Sequence, residues 1–81
     1  MVNTMITVKI LIDTVEKVKN FSSIIAKENV DCELIEGLYI LDAKSIMGIF
    51  SMDITKPIQL NIHSENRDIL NRLKDFIVAE S

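Results

Sequence analysis

The stretch "LDAKSIMGIFSMDITKPIQLNI", residues 41–62, decides how the chain is read, because it runs from a turn through a short apolar segment into strict alternation. Ser45 stands directly before Ile46, Met47, Gly48, Ile49 and Phe50, where its hydroxyl can accept from a first-turn amide of a helix. The segment therefore predicts a short helix from Ile46 to about Met52, weakened somewhat by Gly48 and followed by the Thr55-Lys56-Pro57 turn. Neighbouring helical positions point about 100° apart, so Ile46, Met47, Ile49 and Phe50 cannot all face one sheet, and some are left in solvent. An exposed Ile-Met pair beside a cap serine makes a plausible docking patch, with Met47 as the adaptable contact.

Downstream, Ile58, Leu60 and Ile62 alternate with Gln59, Asn61 and His63, the pattern of a half-buried strand with a polar outer face. Upstream, Ile6, Val8, Ile10 and Ile12 alternate with Thr7, Lys9 and Leu11, which predicts a first strand. Asp13 and Glu16 have capping-box spacing, and Val18, Phe21 and Ile25 recur at helical intervals through to about Glu28. Cys32 and Leu34, then Gly37, then Leu38 and Ile40 read as a hairpin in which Gly37 supplies a positive φ. At the far end Ser64 or Asn66 can cap a last helix, with Ile69, Leu70, Leu73, Phe76 and Ile77 as its apolar stripe. The order β-α-β-β-α-β-α predicts an α+β two-layer domain over residues 1–81: a four-stranded antiparallel sheet with three helices on one face and water on the other.

Composition sets the class. At 81 residues, with 48% hydrophobic and 26% charged side chains but only two glycines and one proline, the chain has the profile of one ordered globular domain. A net charge of −3 without a Lys/Arg cluster argues against nucleic acid as a partner. The lone Cys32 forms no internal disulfide and reads as a buried thiol of a reducing compartment. The opening "MVNTMITVKILI" lacks a basic leader and carries Lys9 in its apolar part, so it reads as a strand and not a signal peptide, and no apolar run approaches the ~20 residues that span a bilayer. A cytoplasmic protein with no membrane partner is the expectation.

Chemistry is sparse. His63 is the single histidine, on the polar side of a strand end with no nucleophile near it in sequence, so a solvated surface histidine is expected and no catalytic residue. One His and one Cys on separate strands do not make a zinc site, and the two glycines stand too far apart to cradle a phosphate, so neither metal nor cofactor is expected. Arg67, Asp68, Arg72, Lys74 and Asp75 read as the solvated face of the last helix. Ser45 carries two readings. As a cap it is worth about 1 kcal/mol, and from the residues alone this is the favoured role; as the start of a helix it is also a place where a phosphate is tolerated.

Residues 41–62, above all "KSIMG" and the later Ser51, resemble the region of the histidine-containing phosphocarrier protein (HPr) of the bacterial phosphotransferase system that holds its regulatory serine, second helix and last strand. The element order and the length are similar too, so the resemblance covers nearly the whole chain. It implies an HPr-like open-faced sandwich, a regulatory or binding module that is not an enzyme, Ser45 as phosphoacceptor for an ATP-dependent HPr kinase, and Ile46, Met47 and Phe50 as the partner-binding patch. Partners of that kind are HPr kinase, a transcriptional regulator or another protein of the system. The family carries its phosphohistidine in a Gly-x-His-x-Arg-Pro type motif before the first helix. The matching stretch here, "IDTVEKVKNF", residues 12–21, has no histidine, arginine or proline, and the phosphohistidine position falls at Thr14 or Val15. Histidine phosphotransfer is therefore not expected. A conventional phosphocarrier and a decayed paralogue that only binds a partner are the alternatives.

Overall fold

The computed structural model describes residues 5–80, so residues 1–4 and 81 of the expected domain lie outside it. Among the described residues eight elements follow one another: β1 (Met5–Ile10), α1 (Val15–Ala26), β2 (Cys32–Glu36), β3 (Tyr39–Asp42), α2 (Ile46–Phe50), β4 (Ile58–His63), α3 (Asp68–Arg72) and β5 (Ile77–Glu80). The strands form one sheet in the order β3-β2-β4-β1-β5, with every neighbouring pair antiparallel.

Register follows from alternation. Ile6, Val8 and Ile10 lie opposite Ile62, Leu60 and Ile58, while Cys32 and Leu34 lie opposite Ile62 and Leu60, so the apolar sets of three strands share one face. A slip of one residue would turn every one of them to water. Val18, Phe21 and Ile25 of α1, Ile49 of α2, and Ile69 of α3 with the following Leu73 and Phe76 close over that face into a single buried cluster. The rings of Phe21 and Phe76 meet edge to face, with centroids 5.8 Å apart. Lys9, His63 and Met5 stand on the opposite, open face, where Asn61 is nonetheless buried, with its Oδ1 satisfied by Thr7 Oγ1 (3.1 Å) and Gln59 Nε2 (3.0 Å) as donors.

Three local expectations are corrected. The sheet has five strands and not four, because the predicted last helix stops at Arg72 and Ile77–Glu80 pairs with β1 across a bulge at Lys9/Ile10. Neither Ser64 nor Asn66 is the helix cap; Arg67 holds that position without a side-chain bond, while Asn66 Oδ1 accepts from Asp68 N (3.0 Å) and Ser64 Oγ from Asn66 N (3.0 Å) just before it. Similarly, α1 is capped by Thr14, whose Oγ1 accepts from Lys17 N (3.1 Å), and not through a box of Asp13 with Glu16. Asp13 reaches the side chain of Lys17 instead (3.0 Å), and that bond holds its carboxyl below the usual range.

Candidate functional site

The loop into α2 is built by local polar bonds on a buried anchor. Ala43 is fully buried and its N–H donates to Cys32 O (2.9 Å), which ties the turn to β2. Asp42 then turns the chain: its Oδ1 accepts from Lys44 N (2.9 Å) and its carbonyl from Ser45 N (2.9 Å). Ser45 is the N-cap as expected, in extended conformation, with Oγ accepting from Gly48 N at 3.2 Å and its carbonyl accepting from Ile49 N at 3.0 Å. At the other end Ser51 Oγ donates to Gly48 O (2.6 Å), so a serine hydroxyl holds each end of this short helix.

Gly48 has a steric role here. A Cβ at this position would lie 3.2 Å from Ser45 Oγ and 3.6 Å from Leu41 Cδ1, so glycine keeps the flank of the hydroxyl clear at the cost of helix propensity.

The short helix divides its apolar residues as its geometry requires. Ile49 is buried and Met52 nearly so, whereas Met47 is 80% exposed, Phe50 44% and Ile46 37%. The structure thus brings Ser45, Ile46, Met47 and Phe50 together on one solvent-facing element. Lys44, next to the serine, donates its ammonium to Glu28 O (3.0 Å), and the carboxylate of Glu28 receives both Nε (2.8 Å) and Nη2 (2.7 Å) of Arg72, an interaction that raises the guanidinium pKa.

The other singled-out residues lie elsewhere. Thr14 and Val15 start α1; the Thr14 hydroxyl is engaged in capping, and Val15 is exposed. His63 ends β4, exposed on the open face, with Nε2 2.7 Å from Glu33 Oε1. Cys32 is 2% exposed, and burial pushes its thiol pKa up to about 11, the state of an inert core thiol. Among the described residues no group of three or more His, Cys, Asp or Glu is placed to hold a metal ion, and no helix is long and apolar enough to cross a membrane.

One feature escaped the sequence reading. Asp31, Cys32, Glu33, Ile40, Leu41, Asp42 and His63 line a concavity of about 460 Å³ beside the hairpin. Its signal was present in "DCELIE", where Asp31 and Glu33 alternate with core residues, but the partner Asp42 enters only through the register of the Gly37 turn. No family model, curated protein or solved structure matches this chain.

Proposed function

We propose that the chain is an HPr-like regulatory module that binds a protein partner through α2 and is controlled at Ser45. The observation that carries this reading is the exposed triad of Ile46, Met47 and Phe50 on the same short element that Ser45 caps. The element order up to α3 and the "KSIMG" motif support the likeness to HPr; the absence of histidine, arginine and proline from residues 12–21 turns it away from sugar transport.

The covalent step is transfer of the γ-phosphoryl group of ATP to Ser45 Oγ: the new P–O bond forms as the bond to ADP breaks, and the hydroxyl proton is released. The product adds a charge of about −1.5 to −2 at neutral pH beside the apolar patch. Contact with an Arg- or Lys-bearing partner surface, such as a transcriptional regulator's, is strengthened, and contact with an acidic surface is weakened. In this reading the protein is cytoplasmic, has no cofactor and catalyses nothing itself.

Intact-mass measurement after two incubations tests the reading, one with ATP and HPr kinase, the other with phosphoenolpyruvate and enzyme I. The expected result is one phosphate from the kinase alone, lost in Ser45→Ala. Phosphate gained from phosphoenolpyruvate would identify a conventional phosphocarrier. No gain in either incubation removes Ser45 from the mechanism and leaves a module that only binds.

A further inference from the structure

The outer rim of β3 is an unguarded sheet edge. Tyr39 is 68% and Ile40 63% exposed, and Leu38 at the hairpin tip is fully exposed. Among the described residues no strand lies outside β3. Because Ala43 N–H donates inward to Cys32 O, alternation along an antiparallel ladder turns the main chain of Leu41 and Tyr39 toward β2 as well, and leaves the N–H and C=O of Ile40 pointing outward. Sheet edges are ordinarily blunted by lysine, proline, a bulge or a very short strand; β3 is short, at four residues, but its run Tyr39-Ile40-Leu41 carries no lysine, proline or bulge. Such an edge offers both main-chain bonds and apolar contacts to an added strand.

Charge selects the occupant. Asp31, Glu33 and Asp42 line the concavity next to Ile40, and Glu33 lies directly opposite Asp42 across the β2–β3 ladder. Like charges at directly opposed positions destabilise a sheet unless a cation comes between them. His63 reaches Glu33, but Lys44 is turned away to the carbonyl of Glu28. A second copy of this chain would bring two such acidic clusters to one seam, each on a molecule of net charge −3.

We propose that the β3 edge binds an extended segment of a partner protein as an additional strand. An apolar side chain of that segment packs on Ile40, and a Lys or Arg two residues away reaches Asp42 and Glu33, since residues two apart share a face. The surface is distinct from α2, and the inference does not rest on phosphorylation of Ser45.

Amide NMR titration at low salt with the peptide acetyl-Lys-Thr-Val-Thr-Lys-amide tests this in either strand orientation. The expected result is shifts centred on Ile40, exchange protection of its amide, and binding about tenfold weaker for the Glu-Thr-Val-Thr-Glu counterpart. Ile40→Pro in the protein, and in the antiparallel orientation N-methylation of the peptide's valine amide, each remove a ladder donor and are expected to weaken binding. The double variant Glu33→Gln/Asp42→Asn, which keeps both side-chain shapes and the Asp42 turn acceptor, should reduce the preference for the basic peptide about tenfold while the fold is retained. Equal binding of acidic and basic peptides, shifts centred on α2, or concentration-dependent dimerisation that itself protects the Ile40 amide would each overturn the proposal.

Discussion

Gly37 sets the hairpin by one angle. Its φ is +59° with nothing within 4 Å of where a Cβ would stand, so Gly37→Ala meets only the cost of the left-handed backbone, about 1–2 kcal/mol, which equilibrium denaturation would read directly. Ser45→Ala should cost about 1 kcal/mol through the lost bond to Gly48 N, with the rest of the fold unchanged. Cys32 gives a pH prediction. Its thiol pKa is raised from 9.0 to about 11 by burial, so the folded state favours the neutral form. The stability this provides is complete below pH 9 and is lost as pH climbs toward 11, by up to about 3 kcal/mol, whereas Cys32→Ser should flatten that part of the stability profile. At this scale the sequence was legible wherever one residue acts on its own backbone: the positive φ of Gly37 and the capping role of Ser45 were both read correctly. It was misleading where two neighbours compete for one role: Thr14 is the cap, its Oγ1 accepting from Lys17 N, while Asp13 accepts from the Lys17 side chain instead.

Among the elements, the end of the chain separates periodicity from structure. Ile69, Leu73 and Phe76 have helical spacing and all three are buried, yet the helix ends at Arg72. Phe76 N–H donates to Leu73 O in a turn (2.9 Å), and Phe76 O accepts from Leu11 N (2.8 Å), which starts the run alongside β1. The β-branched Ile77 and Val78 suit a strand, and the bare edge of β1 supplies the main-chain partners that an isolated helix turn in water would not. Cutting the chain after Phe76 should therefore speed amide exchange along β1 by tenfold or more, equal to about 1.4 kcal/mol, since the loss is mostly of ladder bonds. Unchanged exchange in β1 would mean that β5 contributes nothing to the sheet. The short α2 behaves as its five residues predict: too short to be stable alone, it is held by Ile49 in the core and by a serine at each end.

For the whole molecule, β4 is the element on which the others depend. It pairs with β1 on one side and β2 on the other, and Leu60 lies between Val8 and Leu34, all three fully buried. Leu60→Ala should cost about 2–5 kcal/mol, and β4 amides should be the slowest to exchange in the native protein, ahead of the edge strands β3 and β5. The sequence by itself determined the α+β class, the first strand, the existence of the hairpin though not the start of its second strand, which is Tyr39 and not Leu38, the serine-capped helix, the alternating strand and the burial of Cys32, because each follows from spacing within one short segment. It also required that part of the Ile46–Phe50 run be exposed, though which part depended on the helix's orientation against the core. Only the tertiary structure decided the fifth strand, the caps of the first and last helices, and the meeting of Asp31, Glu33, Asp42 and His63 beside an open edge. The fifth strand and the acidic cluster are settled by main-chain partners and side chains distant in sequence, and the caps by a choice between nearly equal neighbouring residues, neither of which local periodicity encodes.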